Sequence, residues 1–272
     1  MSRLEVRFRS LAAKREQALI TYIMAGDPSL SDTEALVLAL EQAGADVIEL
    51  GVPFSDPIAD GPVIQQAADR ALKSGTTLKK ILAMTTGLRT KTQIPLVLMA
   101  YYNTIYAYGE AAFCRDAVVA GIDGLIVPDM PVEESGPLNA LATPAGLDLI
   151  FLLAPTSTAS RRTMVARASH GFVYYVSLTG ITGAKLTDMG DVEQNLNKIR
   201  KVSKVPVSVG FGVATPDDVK RLAKTADGVI VGSALVKRIA ELPHNPTALT
   251  SIADFVRSLK APTCANAPAH PQ

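Results

Sequence analysis

The chain has 272 residues, of which 48% are hydrophobic and 19% are charged, a balance that supplies a sizeable core and excludes a disordered chain. Its 27 lysines and arginines almost match its 26 aspartates and glutamates, which leaves a formal net charge of +1. This charge gives no overall basic field that would hold nucleic acid or an anionic membrane, so any anionic ligand must be bound by a local site.

Several other classes of protein are excluded by short features of the sequence. The longest uninterrupted apolar run covers seven residues, 96–102, whereas a membrane span needs about 20. Residues 1–9 are charged and mixed, so no secretory signal is visible. Cys114 and Cys264 are too isolated for a disulfide scaffold or a zinc site. We therefore expect a cytoplasmic protein without a metal site.

Short apolar runs recur along the chain, and a helical stretch follows each of them. The runs are continuously apolar rather than alternating, which is typical of parallel strands covered on both faces. We predict eight strands, at residues 19–24, 47–50, 96–100, 124–127, 149–153, 172–176, 207–209 and 229–231. The long interval after the second strand leaves room for two helices, at 63–73 and 78–89.

This succession of strands and helices shows no composition break and no linker. It favours a single α/β domain of residues 1–260, a (β/α)8 TIM barrel with extra short helices, and an open doubly wound sheet is the main alternative. An amphipathic stretch at residues 4–14 predicts an extra N-terminal helix that covers the bottom of the barrel. Residues 261–272 are rich in proline and alanine, and we expect them to form a flexible tail.

The connections into three of the strands share the pattern Ala-Gly-X-Asp, at residues 43–46, 120–123 and 145–148. The glycine is expected to end the preceding helix in the left-handed conformation. The aspartate is expected to turn the chain into the next strand. We interpret this repeat as structural rather than catalytic.

Candidate catalytic residues are expected just beyond the strands, because the site of a parallel barrel forms at the C-terminal ends of its strands. Glu49 lies inside the apolar second strand, where burial of an unpaired carboxylate raises its pKa. A partly protonated carboxyl suits a general acid, and an ion pair at the strand end is the alternative. Asp60 is either the second carboxyl of an acid–base pair or the N-cap of the helix that follows.

The sixth strand contains two adjacent tyrosines, Tyr174 and Tyr175. Because side chains alternate along a strand, one of them points into the barrel and the other packs beneath a helix. The segment 179–190 that follows is rich in glycine and threonine. It is either a mobile lid or an ordinary long surface loop.

Glycines also follow the last two predicted strands, as Gly210-Phe211-Gly212 and as Gly232-Ser233. They let backbone N–H groups approach a ligand, and a following helix N-terminus adds partial positive charge. Since these two loops form the usual phosphate site of barrels, the pair predicts phosphate binding. Tight turns, and an N-cap at Ser233, are the structural alternatives.

The sequence Glu49-Leu-Gly-Val-Pro-Phe-Ser-Asp-Pro-Ile-Ala-Asp60-Gly-Pro resembles the signature of the tryptophan synthase α subunit family. Further stretches resemble the same family in the same order, at 26–28, 99–103, 128–135, 179–183, 210–212 and 232–233. The resemblance implies a lyase of tryptophan biosynthesis that cleaves indole-3-glycerol phosphate to indole and D-glyceraldehyde 3-phosphate. It also implies an α2β2 assembly in which a pyridoxal-phosphate-dependent β subunit receives indole through a channel and condenses it with L-serine. This chain itself is expected to need no cofactor.

Carried over residue by residue, the resemblance implies three groups of site residues. The catalytic residues are Glu49, Asp60 and Tyr174. The phosphate-binding residues are Gly183, Gly212, Gly232 and Ser233. The indole pocket consists of Tyr22, Tyr101, Leu152 and Phe211, and the choice between Tyr101 and Tyr102 stays open.

Three other functions remain possible at this point. One is a chain that acts chiefly as a regulatory partner, which activates the β subunit and has little turnover of its own. It is alternatively a free-standing lyase, or another phosphate-binding barrel enzyme such as an isomerase or indole-3-glycerol-phosphate synthase. The synthase is expected to use a lysine as its acid, and no lysine lies inside any of the predicted strands.

Overall fold

The computed structural model describes residues 1–176, 189–210, 212–244 and 247–264. The strands within these ranges are β1 (Ala18–Met24), β2 (Val47–Gly51), β3 (Leu96–Met99), β4 (Gly124–Ile126), β5 (Asp148–Ile150), β6 (Leu152–Leu153), β7 (Val173–Val176), β8 (Val207–Gly210) and β9 (Gly228–Val231). The first six helices are α1 (Arg3–Lys14), α2 (Leu30–Gln42), α3 (Pro62–Lys73), α4 (Leu78–Leu88), α5 (Tyr102–Tyr108) and α6 (Glu110–Val119). The other six are α7 (Gly136–Ala145), α8 (Ala159–Ala168), α9 (Met189–Arg200), α10 (Pro216–Leu222), α11 (Ser233–Ile239) and α12 (Ala248–Lys260). Among the described helices, none is both long enough and apolar enough to cross a bilayer.

The strands form one parallel sheet in the order β5-β4-β3-β2-β1-β9-β8-β7-β6. Because β1 pairs with both β2 and β9, the first and last strands are neighbours, as in a closed barrel and unlike an open doubly wound sheet. The predicted TIM barrel is thus confirmed.

The fifth predicted strand differs from the expectation, since it consists of two segments, β5 and β6, on either side of Phe151. The reason is a change of partner: β5 pairs with β4, whereas β6 pairs with β7. The N–H group of Tyr174 donates to the carbonyl of Phe151 at 3.1 Å, which carries the backbone hydrogen bonding across the break.

Glycines end the helices that precede three of the strands. Gly44, Gly121 and Gly146 have φ angles of 103°, 88° and 87°, a region that side chains with a Cβ rarely adopt. The predicted left-handed helix ends are therefore confirmed, and they fix where each chain segment enters the sheet.

Aspartates at the bottom of the barrel connect neighbouring β/α units. Each accepts a hydrogen bond from a backbone N–H near the start of the preceding strand and also forms an ion pair with a lysine or arginine side chain. The backbone donors are Leu19 to Asp46, Leu96 to Asp123 and Val207 to Asp227, at 2.8, 2.9 and 2.8 Å. The basic partners are Lys260, Arg89 and Arg200, at 2.8, 2.8 and 2.6 Å respectively. These buried N–H groups are satisfied by side chains where no strand is available to pair with them.

Helix α1 closes the bottom of the barrel, as the sequence predicted. Its buried face packs into the cluster of inward-pointing strand side chains, and it consists of Leu4, Phe8 and Leu11. The ring of Phe8 lies 5.8 Å from that of Phe172, measured between centroids. At its N-terminus, Arg3 pairs with Asp123 at 3.0 Å, which fixes the helix over the ring of strands.

The first residues after α12 are ordered, although the sequence suggested that a flexible tail starts there. Residues 261–263 form a single turn of 3-10 helix, in which Thr263 is buried. The carbonyl of Thr263 accepts the N–H of Gln17 at 3.1 Å. The predicted tail from residue 265 onward lies outside the described residues.

Truncation of a buried residue of α1 is expected to destabilise the whole barrel. Leu4→Ala should lower the free energy of unfolding by about 2–5 kcal/mol, because Leu4 is fully buried in the barrel interior. Val6→Ala on the same helix is the matched control, since Val6 is 51% exposed, and we expect a change within about 0.5 kcal/mol. Urea titration measures both values, and equal losses would contradict the closing function of α1.

Candidate functional site

A cavity of about 470 Å³ opens at the C-terminal ends of the strands. Its walls come from the ends of β1, β2 and β7 and from the segments that follow β2, β8 and β9. The site residues predicted from the sequence that line it are Tyr22, Glu49, Asp60, Tyr174, Gly212, Gly232 and Ser233. The fold therefore brings together residues that are up to about two hundred positions apart in the sequence.

Glu49 is buried in the wall of this cavity. Its side chain points inward from the middle of β2, next to Tyr22 of β1 and Val97 of β3 in the strand register. Its Oε1 atom has no hydrogen-bond partner among the described residues. Burial disfavours the charged form and raises the pKa of Glu49 to about 8. The carboxyl is thus mostly protonated at neutral pH, as a general acid requires, and it forms no ion pair with any residue that the structure describes.

Tyr22 lies against Glu49, and a glycine makes room for it. A methyl group added at Gly51 would lie 2.1 Å from the phenol oxygen of Tyr22, so the end of β2 accepts the ring only because residue 51 has no side chain. Burial, and then the charges of Asp60 and Glu49, raise the pKa of Tyr22 well above its ordinary value. The phenol therefore stays neutral beside the two carboxyls.

Tyr174 is the inward-pointing member of the tyrosine pair. It packs with the barrel interior, whereas Tyr175 lies among the residues beneath the helices, where its hydroxyl accepts a hydrogen bond from Asn195 at 3.1 Å. The predicted alternation is thereby confirmed. Burial and the nearby charge of Glu49 raise the pKa of Tyr174 well above its ordinary value, so this phenol also remains neutral next to the acid.

Asp60 is not the N-cap of the following helix, and that interpretation of its Asp-Gly-Pro sequence is wrong. The N-cap is Gly61, and α3 starts at Pro62. The carboxyl of Asp60 is instead hydrogen-bonded to Tyr101 and lines the cavity. Burial raises the pKa of Asp60, while the hydrogen bond from Tyr101 acts in the opposite direction by favouring the ionised form.

Tyr101, rather than its neighbour Tyr102, holds the loop that carries Asp60. Its phenol oxygen accepts the N–H of Ala59 at 2.9 Å and is hydrogen-bonded to Asp60. The hydroxyl of Tyr102 donates instead to Glu110, the first residue of α6, at 3.0 Å. Tyr101 does not border the cavity directly; it lies behind Asp60 and orients it.

The end of the cavity that is formed by the segments after β8 and β9 suits an anion. Gly212, Gly232 and Ser233 line the cavity there, together with the basic residues Lys237 and Arg238. The two basic residues were missed in the sequence. The available signal was their spacing, since they follow Ser233 and Ala234 by four positions and so lie on the same side of α11.

Besides Tyr101, one described residue of the predicted set, Leu152, does not border this cavity. Leu152 packs against the barrel interior and lines a smaller cavity of about 250 Å³, whose wall also contains Asp129 and Arg161. Gly183 and Phe211 lie outside the described residues, as does nearly all of the segment interpreted as a lid.

The arrangement suits a ligand that has an apolar body and an anionic end. Two carboxyls in unlike surroundings lie near neutral phenols, and such a difference separates the pKa values of an acid and a base. Glycine backbone and basic side chains line the same cavity, in the segments after β8 and β9. The cavity can therefore protonate one part of a ligand while it holds a negative charge on another.

The chain is similar to tryptophan synthase α chains over nearly its whole length. A family model described as tryptophan synthase alpha chain matches residues 8–263. The tryptophan synthase alpha chain of Geobacter sp. strain M21 is 52% identical over 260 residues, which cover 96% of this chain and 97% of the relative. That of Nitrosococcus oceani is 49% identical over 247 residues, which cover 90% of this chain and 91% of the relative.

Solved structures show the same likeness. Tryptophan synthase subunit alpha from Legionella pneumophila strain Paris superposes with a TM-score of 0.90 at 36% identity, covering 97% of this chain and 98% of that one. A chain of Mycobacterium tuberculosis tryptophan synthase gives a TM-score of 0.89 at 37% identity, covering 98% of this chain and 100% of that one.

The buried acid should make the stability of the protein depend on pH. Because folding raises the pKa of Glu49 from 4.5 to about 8, the folded state binds this proton more tightly than the unfolded chain does. The stabilisation of the folded state by this tighter proton binding is therefore fully present below about pH 4.5, and it is lost as the pH rises towards 8. Glu49→Gln should remove this dependence and be more stable than the wild type at pH 9 by about 2–4 kcal/mol. Urea titrations across this range measure it, and parallel curves for the two proteins would exclude a buried acid.

Proposed function

The chain belongs to the tryptophan synthase α chain family, and is thus a lyase of tryptophan biosynthesis that cleaves indole-3-glycerol phosphate; from this premise we propose that Glu49, Asp60 and Tyr174 carry out the cleavage. The observation that carries the proposal is the Glu49 carboxyl, which is buried in the cavity wall with its pKa raised to about 8. A proton donor of this strength at neutral pH is what the first step requires.

Glu49 supplies the proton that starts the reaction. The carbon–carbon bond between indole C3 and the glycerol chain cannot break while the ring is aromatic. Protonation of C3 by Glu49 gives a cationic indolenine, and the electrons of the breaking bond then return to the ring. The adjacent hydroxyl becomes the aldehyde of glyceraldehyde 3-phosphate, and its proton passes to the Glu49 carboxylate, which restores the acid.

Asp60 stabilises the cation that this protonation produces. Its carboxylate accepts the hydrogen of indole N1, where the positive charge develops, and the hydrogen bond from Tyr101 favours its ionised form and orients it. Tyr174 stays neutral beside Glu49 and positions that carboxyl and the ring. Tyr22, Leu152 and Phe211 complete the pocket for indole in this proposal.

In this proposal, the phosphate group lies where the segments after β8 and β9 line the cavity. Gly212, Gly232 and Ser233 belong to those segments, and Gly183 contributes to the same phosphate site. Glycines allow the backbone N–H groups to approach the phosphate oxygens closely. The ligand is thereby held by its non-reacting end while the ring lies against Glu49.

Family membership implies a β subunit as partner. We propose an α2β2 assembly in the cytoplasm, in which the β subunit carries pyridoxal phosphate and receives indole through a channel. The exposed Ile58 and Tyr106, which are 84% and 67% accessible, lie in the segments that follow β2 and β3 and suit a protein partner there. The cleavage itself needs no cofactor in this chain, since Glu49 and Asp60 supply both proton transfer and charge stabilisation.

Replacement of the proposed acid tests the function directly. Glu49→Gln should lower indole release from indole-3-glycerol phosphate by about 10²- to 10⁴-fold. In the wild type, turnover should fall as the pH rises above about 8, because the acid loses its proton there. Glu193→Gln, at an exposed position on α9, is the control and should retain activity.

The same assay, run alone and with a β subunit, separates this proposal from the alternatives. Wild-type release by Glu49→Gln would refute the catalytic assignment. A wild-type chain that released no indole under either condition, but stimulated the β reaction, would be a regulatory partner.

The adjacent tyrosines provide a matched test of how Asp60 is positioned. Tyr101→Phe removes the hydroxyl that bonds to Ala59 and Asp60, so kcat should fall by about 10-fold as Asp60 loses its orientation. Tyr102→Phe removes only the bond to Glu110 and should change kcat by less than about 2-fold. Steady-state kinetics on both variants measure this, and equal effects would argue against a positioning function of Tyr101.

A further inference from the structure

We propose that Lys237 is the counter-ion of the substrate phosphate and that it determines the preference for a phosphorylated substrate. The inference rests on the proposed function for the identity of the ligand. Sequence reasoning placed only glycines and a serine at this end of the cavity, all of which are uncharged. Lys237 adds the positive charge that this set lacks.

The position of Lys237 follows from the geometry of α11. It is four residues after Ser233, so the two side chains lie one turn apart on the same side of the helix. Both residues line the cavity, as do Gly212 and Gly232. The ammonium group thus projects at the same end of the cavity as the glycine backbone.

The Lys237 ammonium is available to a ligand. Its side chain is exposed, and it forms no ion pair with any residue in the described part of the chain. The neighbouring Arg238 differs, because its Nη1 donates to the carbonyl of Ala234 at 2.7 Å and its guanidinium lies 3.6 Å from the ring centroid of Phe255. Arg238 is thereby held against the protein, which leaves Lys237 as the mobile cation at the rim.

The distribution of charge in the cavity supports this assignment. Its acidic lining residues are Glu49 and Asp60, and its basic lining residues are Lys237 and Arg238. Since the whole chain carries a net charge of only +1, attraction of a phosphate dianion must come from such local groups. A lysine at phosphate adds a charge-assisted hydrogen bond, which is stronger than the bonds from neutral backbone donors.

The test compares two substrates that differ only in the phosphate group. Lys237→Gln should raise KM for indole-3-glycerol phosphate by about 5- to 30-fold, the range for a charge-assisted bond that remains partly exposed. The kcat should stay within about 2-fold, because the phosphate does not take part in bond breaking. With unphosphorylated indole-3-glycerol, the variant and the wild type should give the same kcat/KM.

Two further variants isolate the charge. Lys237→Arg should recover most of the affinity, since it keeps a cation at this position. Lys220→Gln removes an exposed lysine of α10 that does not line the cavity, and it should leave KM unchanged. Circular dichroism and the midpoint of thermal unfolding check that each variant is folded.

The outcomes decide between binding and a structural effect. An unchanged KM for the phosphorylated substrate would overturn the proposal, and so would an equal loss with both substrates. Calorimetric titration with glycerol 3-phosphate and with glycerol tests Lys237 without any cleavage. If Lys237→Gln weakens the binding of glycerol 3-phosphate but not that of glycerol, the inference is supported. This holds even if the wild type releases no indole, a result that would refute only the proposed function.

Discussion

Burial of one carboxyl group in the wall of the barrel is the constraint on which the chemistry depends. The interior of a protein disfavours a carboxylate that has no partner, and the proton that Glu49 retains is the least costly response. A closed ring of strands gives this position no open sheet edge through which water would enter. The neighbouring phenols of Tyr22 and Tyr174 are neutral as well, so they add hydrogen-bonding groups without adding charge. An acid of useful strength at neutral pH thus results from burial.

The two ends of the barrel contribute differently to this site. At the bottom, α1 fills the ring with Leu4 and Phe8, so the interior beneath the acid is apolar and closed. At the top, Gly51 and Gly210 leave the space that the rings of Tyr22 and Tyr174 occupy. Close packing at the bottom of the barrel therefore gives the cavity an apolar floor. The absence of side chains at the two glycines lets the tyrosine rings form part of its walls.

The sequence predicted those features that depend on local periodicity or on backbone conformation. The parallel strands, the helix-ending Gly44 and Gly121, and the covering helix α1 are of this kind. The partner change at Phe151 was not predictable, because it depends on which strands lie on each side of the fifth one. The bond of Asp60 to Tyr101, and the approach of Lys237 to the glycines, likewise join residues that only the closed ring brings together. The signature around Glu49 singled out this residue as the candidate acid, but its protonation follows from burial.

The pairing of Lys260 with Asp46 has a consequence for the order in which the molecule is made. These residues are 214 positions apart, and together with the bond between Gln17 and Thr263 they attach the C-terminal segment to the residues just before β1 and β2. Every intervening unit is synthesised before the fastening residues exist. Through most of its translation, a nascent chain therefore lacks the strand β9 that pairs with β1. Glu49 in β2 is sheltered from water only when this last pairing closes the barrel.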